Sequence, residues 1–476
     1  MPTRTTPAAT APATDRTGLP SGPHGAPWAL PALAGAAVLV VALVGVPAAV
    51  GATTLALQAL FLVFFVRHLA FVAAAARTAP GSADGLSREH DEDVVDEDTT
   101  GWYSPPLTVM VACHDEERVL GRLLPALDAL RYPPGRLQLV LVDDNSSDRT
   151  GELLDAWQRA TPGALVLHRP PGSTGGKSGA LNRALREATG EVVVVFDADH
   201  RPRPDVLLRL AWHFADPGVG AVQGRCRILN GGDSLVAELV EVDYLGGYLV
   251  NEYGRQAVFR LPAYGGACCA ARTTSLRAVD GWNEGTVTED TDLTLRMALT
   301  GQRVCYDVTA VDEEEAVTTL RRYWTQRYRW ARGHQQAWRD FRGAVWRSRR
   351  FTLLEKVETT MFLLVFHLPA LALVGVGLLI AGFFGLATPP TQLDDATAVV
   401  WTLLLLGPVL ELSTGLLLTR APKRKAFLLV FFLPLFTVSM LLCTKAWVDG
   451  LLGRPYTWAK TARSEGPLRP ATAGSR

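Results

Sequence analysis

Two kinds of hydrophobic pattern divide this chain. Short runs of β-branched residues alternate with helical patterns between residues 107 and 196, and long uninterrupted apolar stretches lie on either side of the region that contains them. The alternation predicts parallel strands joined by crossover helices, because each strand and the amphipathic helix after it form one repeating unit. We therefore expect a soluble α/β domain inserted between transmembrane α-helices.

The α/β region is predicted to contain four strands separated by three helices. The strands are expected at residues 108–112, 137–142, 165–168 and 191–196. The helices are expected to begin at Glu116, Asp148 and Lys177. Ligands of such sheets bind at the carboxyl ends of the strands, so the polar residues that follow each strand are candidates for chemistry.

The long apolar stretches predict two membrane spans before the α/β domain and about three after it. The first two cover residues 28–76, and the later ones lie at about 361–387, 398–418 and 426–443. Each approaches or exceeds the roughly 20 residues that cross a bilayer as a helix. Arg67 and His68 fall within the second span, where charge is costly, so we expect them to face protein, water or the near interface.

Composition sets the remaining boundaries of the chain. Residues 1–27 are rich in Pro, Thr, Ala and Gly and predict a disordered tail, while residues 77–104 are acidic and lack an apolar face. The predicted division is a disordered tail (1–27), two transmembrane helices (28–76), an acidic linker (77–104), the α/β domain (105–320), amphipathic interface helices (321–356), about three transmembrane helices (357–448) and a basic C-terminal tail (449–476).

The basic residues predict the orientation of these spans. The loop with Arg420 and three further bases is expected in the cytoplasm, and the acidic loop 388–395 outside. The α/β domain then lies on the cytoplasmic side of the plasma (inner) membrane. Three simple C-terminal passes would place the basic tail outside, so either the segment around Pro369 is a hairpin or the last segment, interrupted at Pro434, re-enters.

Charge and cysteine content exclude some classes of function. The chain has 47 basic and 47 acidic residues, and this balance gives no indication of nucleic-acid binding. Its six cysteines show no CxxC spacing, which favours reduced thiols over a zinc site or a disulfide framework.

Acidic residues follow two of the predicted strands. Asp143 and Asp144 end the second strand, where a carboxylate can bind the base or ribose of a nucleotide or simply cap the next helix. Asp197 and Asp199 follow the most apolar strand, and residues two apart in extended backbone point the same way. Two carboxylates aimed together either belong to a solvated turn or bind a divalent cation, and we expect Mg²⁺ or Mn²⁺, with Asp199 as the first choice of ligand and Asp197 nearer the ribose.

Two further positions belong to predicted helix starts. Lys177 follows a glycine-rich turn that suits phosphate binding, although the spacing of a Walker motif is missing and an ordinary helix start remains the alternative. Glu289 and Asp290 lie at the start of another helix, where an acid can favour the helix dipole or serve as a general base. We interpret the nearby Asp292 as structural.

A basic, Trp-rich helix follows the α/β domain. Gln326, Arg329 and Trp330 fall on one face of it, where they can hydrogen-bond a sugar or phosphate, neutralise a diphosphate and stack on a sugar ring. The same composition is typical of an amphipathic helix at a membrane surface, and both interpretations can hold.

These motifs, in this order, resemble those of membrane-embedded family 2 glycosyltransferases, the family of cellulose, chitin, hyaluronan and poly-N-acetylglucosamine synthases. The resemblance covers about residues 105–345 and implies a GT-A domain, a Rossmann-like fold that binds nucleotide sugars. It also implies that Asp290 is the catalytic base, that Lys177 lies beside the donor nucleotide and that residues 259–282 form the acceptor side. The segment 111–117, VACHDEE, departs from the family's usual Pro-x-Tyr-Asn-Glu-Glu.

The resemblance further implies an inverting transfer from UDP-GlcNAc or UDP-Glc to a growing β-linked glycan, with repeated addition and export through the membrane helices. The alternative is a single addition to a lipid acceptor, as in ceramide-type glucosyltransferases. The expected partners are the UDP-sugar donor, the growing glycan or lipid acceptor, the lipid bilayer and, for a polymer, export subunits, with no nucleic acid.

Overall fold

The computed structural model of the chain describes residues 35–36, 45–87, 102–384 and 394–454. The predicted tail at 1–27, most of the first predicted span, the linker from 88 to 101 and the C-terminal tail from 455 onward lie outside these residues. The strands are β1 (Leu107–Cys113), β2 (Leu137–Asp143), β3 (Leu165–His168), β4 (Val192–Asp197), β5 (Arg201–Pro202), β6 (Val219–Ile228), β7 (Cys269–Arg272) and β8 (Arg303–Glu314).

The helices surround this sheet and continue beyond it toward the C-terminus. Those up to β8 are α1 (Val46–Ser87), α2 (Glu117–Asp128), α3 (Thr150–Ala160), α4 (Gly176–Glu187), α5 (Val206–Trp212), α6 (Leu235–Gly246), α7 (Thr273–Ala278) and α8 (Glu289–Thr300). Those after β8 are α9 (Leu320–Arg347), α10 (Leu353–Leu364), α11 (Leu368–Phe383), α12 (Asp394–Leu418) and α13 (Phe432–Leu451).

The sheet has eight strands in the order β3-β2-β1-β4-β7-β6-β8-β5. Strands β1 to β4 run parallel, with Val109 of β1 opposite Leu139 of β2 and Val194 of β4. Strand β7 is antiparallel to both β4 and β6. The carboxyl ends of the first four strands therefore meet along one edge, as the alternating pattern predicts.

Two hydrophobic cores sandwich the sheet. Leu120, Leu154 and Phe214 pack on one face, and Leu181 and Leu293 pack on the other. The apolar run of β4 is fully buried because it contributes side chains to both cores. This burial on two faces is the reason that a continuous valine run, rather than an alternating pattern, marks the central parallel strand.

The prediction of an α/β domain with four parallel strands is confirmed, and each strand boundary lies within one residue of its predicted position. The second half of the sheet, strands β5 to β8, was not predicted. Strand β7 has the sequence CAAR, and four small or polar residues carry no recognisable strand period.

Among the described residues, two helices are long and apolar enough to cross a membrane, at Val46–Arg77 and Lys423–Leu451. A third candidate is the pair Leu353–Leu364 and Leu368–Leu378, which is bent by 71°. The bend lies just before Pro369, where a hairpin was one of the two expectations. The helix α1 also continues to Ser87, into the segment predicted as an acidic linker.

Candidate active site

A cleft of about 720 Å³ lies at the carboxyl edge of the parallel strands. It extends from Asp144 at the end of β2, past Asp199 and Asp290, to Phe366 at the bend between α10 and α11. One continuous space therefore connects the strand ends with the helices that are apolar enough to lie in a membrane.

The first wall of the cleft is formed by the turn after β2. Asp144 lines the cleft and pairs with Arg169, and burial raises the pKa of its carboxyl despite this partner. Asp143 is not brought to the cleft: its carboxylate accepts the Ser146 N–H at 3.1 Å and contacts the His168 ring at 3.0 Å. Asp143 thus forms the turn, the alternative that the sequence left open for this pair.

The glycine-rich turn before α4 directs Lys177 into the cleft. Its ammonium group lies 2.6 Å from Asp197 and 3.3 Å from Glu289, and it donates to the Gly266 carbonyl at 3.0 Å. Burial alone would lower the pKa of Lys177, but the carboxylates of Asp197 and Glu289 outweigh it and raise that pKa well above its ordinary value. Lys177 therefore stays charged and ties three segments of the site together.

The carboxylates after β4 offer a place for a divalent cation. Donor atoms of Asp197, Asp199 and His200 lie within 4.8 Å of one another. Both ring nitrogens of His200 contact other carboxylates, Asp312 at 2.6 Å and Glu314 at 3.0 Å. The oxygen atoms of Asp197 and Asp199 are thus the donors that fit Mg²⁺ or Mn²⁺, both of which prefer oxygen ligands.

Asp290 lies in the first turn of α8, across the cleft. Burial and the neighbouring Glu289 raise the pKa of its carboxyl to about 6, while hydrogen bonds from Thr291 and the charge of Lys177 act in the opposite direction. A carboxyl with this pKa is ionised at neutral pH and is still basic enough to accept a proton, which is the property of a general base.

A glycine loop, residues 261–268, packs directly against Asp290. A Cβ atom on Gly266 would come within 3.2 Å of the Asp290 carboxylate, and the residue has a φ of +80°. The amide of buried Gln223 donates to the Ala267 carbonyl at 3.0 Å, and Glu252 accepts the Ala263 N–H at 2.8 Å. These side chains fix the loop that forms the wall beside the candidate base.

The helix α9 covers the cleft, and its position depends on Gly333. A Cβ atom there would lie 2.2 Å from Thr288, so only glycine lets the helix approach the residue before Glu289. Gln326, Arg329 and Trp330 line the cleft from this helix. The Gln326 side-chain oxygen is buried and has no hydrogen-bond partner among the described residues, so it is available to a ligand.

The opposite side of α9 packs on the C-terminal helix α13. Tyr328 donates to Asp449 at 2.6 Å, and Gln335 donates to the Phe366 and Cys443 carbonyls. Arg327 lies 4.3 Å from the Trp330 ring centroid. Helix α9 therefore packs between the α/β domain and a candidate membrane span.

Buried ion pairs, which include the cleft-lining residues Arg67 and Glu252, lie at the end of the cleft nearest the apolar helices. Two of the three guanidinium nitrogens of Arg67 donate to Glu358 at 2.8 Å, and the same carboxylate lies 3.1 Å from Arg255. Arg255 also pairs with Glu252 at 3.3 Å. Arg67 thus faces protein, as the cost of an isolated charge led us to expect. His68 lies 2.6 Å from Glu411.

The structure brings nearly all of the predicted site residues to one cleft. Those that line it are Asp144, Lys177, Asp197, Asp199, Glu289, Asp290, Gln326, Arg329 and Trp330. Asp292, interpreted as structural, pairs with Arg296 one turn further along α8 and accepts a hydrogen bond from Asn283. Three further residues at or near the cleft were not predicted: Gln223, His334 and Glu358. Only His334 continues a recognisable pattern, because it lies one helical turn beyond Trp330.

This sheet and cleft have the arrangement of the GT-A fold. Residues 105–333 match the family described as glycosyltransferase like family 2. The matched residues span the α/β unit and the first half of α9.

Two further proteins are similar to this chain. The chain is 38% identical over 254 residues to a beta-monoglucosyldiacylglycerol synthase of Synechocystis sp., an alignment that covers 50% of this chain and 49% of that protein. It is 24% identical over 370 residues to glucomannan 4-beta-mannosyltransferase 7 of Arabidopsis thaliana, covering 75% of this chain and 65% of that protein. The chain thus spans about half the length of the first relative.

The fold is also similar to that of a solved structure. The mannosyltransferase PcManGT from Pyrobaculum calidifontis, in complex with GDP-Man and Mn²⁺, superposes with a TM-score of 0.56 at 21% identity, covering 85% of this chain and 100% of that one. This similarity confirms the GT-A fold that the motifs predicted.

Proposed function

We propose that this protein transfers a hexosyl group, with inversion, from a nucleoside-diphosphate sugar to a hydroxyl group of a membrane lipid. The observation that carries the proposal is the single cleft that joins Asp199 and Asp290 to the apolar bend at Phe366. A donor held at the strand ends and an acceptor held at the bend would meet beside Asp290.

The donor would occupy the end of the cleft formed by β2, β4 and α4. Asp144 would accept hydrogen bonds from the nucleoside, and Lys177 and Arg329 would bind the diphosphate. Within the part of the chain that the structure describes, Arg329 forms no ion pair, so its charge is available to an anion. Asp197 and Asp199 would hold Mg²⁺ or Mn²⁺, which when bound offsets the negative charge of the diphosphate.

The acceptor hydroxyl would lie between Asp290 and Trp330. Asp290 would remove its proton as the oxygen attacks the anomeric carbon from the face opposite the leaving nucleotide, which inverts the configuration. Trp330 would stack on the transferred sugar, and Gln326 would hydrogen-bond it. Glu289 would keep Lys177 in place, since its carboxylate lies 3.3 Å from that ammonium group.

A lipid acceptor is favoured by the surroundings of the cleft. Its far end is lined by Phe362, Val365 and Phe366, next to helices that can lie in a bilayer. The relative from Synechocystis is by name a synthase of a monoglucosyl lipid. With the predicted orientation, transfer would occur on the cytoplasmic face of the membrane.

Extension of a β-linked polysaccharide is the second candidate. The glucomannan mannosyltransferase aligns over 75% of this chain, beyond the family 2 domain itself. A polymer would leave between the same helices, with or without export subunits.

Product analysis tests these two functions directly. The full chain in nanodiscs is incubated with Mg²⁺, dioleoylglycerol and either UDP-glucose, UDP-N-acetylglucosamine or GDP-mannose, and products are read by mass spectrometry. We expect one hexose per lipid and nucleotide release that depends on the acceptor. The Asp290→Asn variant should bind nucleotide without turnover. Polymer formation with no glycolipid would overturn the lipid assignment in favour of the second candidate.

A further inference from the structure

The end of the cleft lined by Phe362, Val365 and Phe366, called here the membrane end, indicates the chemistry of the acceptor's head group. We infer that this end binds an uncharged, hydroxyl-bearing lipid head group and that His334 is the residue that positions it. The inference rests on the proposed transfer to a membrane lipid and adds the class of lipid.

The charges at this end of the cleft balance one another. Arg67 and Arg255 share Glu358, whose side chain is fully buried, and Arg255 has a second partner in Glu252. The two cations are thus matched by two carboxylates. A phosphate would have to displace one of these carboxylates, so its burial here would leave an unpaired charge. An uncharged alcohol has no such cost.

His334 presents a neutral polar group to this space. It lies on α9 at four residues from Trp330 and eight from Gln326, so the three side chains follow one face of the helix into the cleft. Burial and the nearby Arg255 lower the pKa of His334 to about 3. A neutral imidazole has one hydrogen-bond donor and one acceptor, a match for hydroxyl groups.

The hydrogen-bonding capacity of His334 is not used within the described protein. Its Nδ1 atom is buried without a partner. The ring packs against Phe362 and Phe366, with centroid distances of 5.2 and 4.8 Å. Buried polar atoms are rarely left unpaired, and each one that is calls for an explanation such as a ligand. A hydroxylated head group beside the ring would supply the missing partner.

The apolar part of the same lipid has a place beside this histidine. Phe362, Val365 and Phe366 line the cleft where α10 ends and the chain bends by 71° into α11. The bend separates two apolar helices, and Val365 is 39% exposed. An acyl chain lying here would leave the head group next to His334, with its reactive hydroxyl directed along α9 toward Asp290.

Acceptor kinetics with two lipids test the inference. The full chain in nanodiscs is given UDP-glucose with either dioleoylglycerol, an uncharged alcohol, or undecaprenyl phosphate, a lipid phosphate. We expect sugar transfer to dioleoylglycerol and at least tenfold lower kcat/KM for undecaprenyl phosphate. A higher kcat/KM for the lipid phosphate would overturn the uncharged head group.

Substitutions of His334 test its positioning role. His334→Leu should raise the KM for dioleoylglycerol by roughly three- to tenfold, the effect of one lost hydrogen bond, with little change in the KM for UDP-glucose. An amide should restore much of the loss, in either His334→Asn or His334→Gln. The matched control is Gln336→Leu on the same helix, whose side chain contacts Gly285 rather than the cleft.

The possible outcomes distinguish the role of His334 from the proposed transfer to a lipid. A folded His334→Leu protein with an unchanged KM for dioleoylglycerol would overturn the role of His334 while the lipid function stands. Polymer formation without transfer to either lipid would overturn the lipid function and this inference together. Nucleotide binding, measured separately, reports whether each variant keeps an intact donor site.

Discussion

Substitution of Asp290 by asparagine is expected to abolish turnover and, at the same time, to stabilise the fold. The pKa of Asp290 is raised to about 6 from an ordinary value of 3.8 because the charge is partly buried beside Glu289. This difference corresponds to a cost of about 3 kcal/mol for holding the ionised form in the folded protein. Asparagine removes the charge and keeps an oxygen that can accept the Thr291 N–H.

The stabilisation should depend on pH in a defined direction. Below about pH 4 the carboxyl is protonated in both the folded and the unfolded protein, so wild type and variant should differ little. Between pH 4 and 6 the unfolded chain ionises first, and wild-type stability falls as pH rises through the folded pKa of about 6. Above this pH the variant should be more stable by about 1–3 kcal/mol, because part of the cost is screened by water.

Thermal unfolding of the full chain in nanodiscs, at pH 4.5 and pH 7.5, measures this difference. We expect a rise in Tm of several degrees at pH 7.5 and about a third of that rise at pH 4.5, at about 2–4 °C per kcal/mol. Turnover should fall by roughly 10²- to 10⁴-fold, the usual contribution of a general base. The matched control is Asp292→Asn, which should be destabilising, because it removes the buried partner of Arg296.

Two results would refute this reasoning. An inactive Asp290→Asn protein that is no more stable than wild type at pH 7.5 would show that the charge is not held at a cost. A variant that keeps more than a tenth of the wild-type turnover would show that Asp290 is not the base.

Three further predictions concern the ion pairs, the helix packing and the cation. Glu358→Gln should lower stability by about 3–5 kcal/mol, measured as Tm in nanodiscs, because Arg67 and Arg255 lose a buried partner; an unchanged Tm would contradict the pairing. Gly333→Ala should reduce kcat at least tenfold, since the new methyl group would press on Thr288 and displace α9; an unaltered kcat would argue against this close approach. Chelation by EDTA should stop nucleotide release and added Mg²⁺ or Mn²⁺ should restore it, whereas turnover in EDTA would exclude a required divalent cation.

The part of the fold that could be predicted from sequence is the part where local pattern and tertiary structure agree. The run before Asp197 is apolar because both faces of β4 are buried, so its position and its parallel neighbours follow from the residues alone. Strand β7 reaches its place between β4 and β6 only through long-range pairing, and its four residues give no local indication of this.

The same distinction applies to the site. Asp144, Lys177 and Asp290 could be proposed because each lies at the end of a predicted strand or the start of a predicted helix. Glu358 could not, because its partner Arg67 lies 291 positions away and neither residue belongs to a motif. Asp143 shows the limit of a motif: it adjoins Asp144, yet successive side chains at a strand end point in opposite directions.

The ion pairs around Glu358 connect the α/β domain to the helices before and after it. A fragment trimmed to its α/β residues would lose both Arg67 and Glu358, and Arg255 would keep Glu252 as an ion-pair partner. A soluble version of the α/β domain would therefore need a replacement for the Glu358 carboxylate beside Arg255, in addition to removal of the apolar helices.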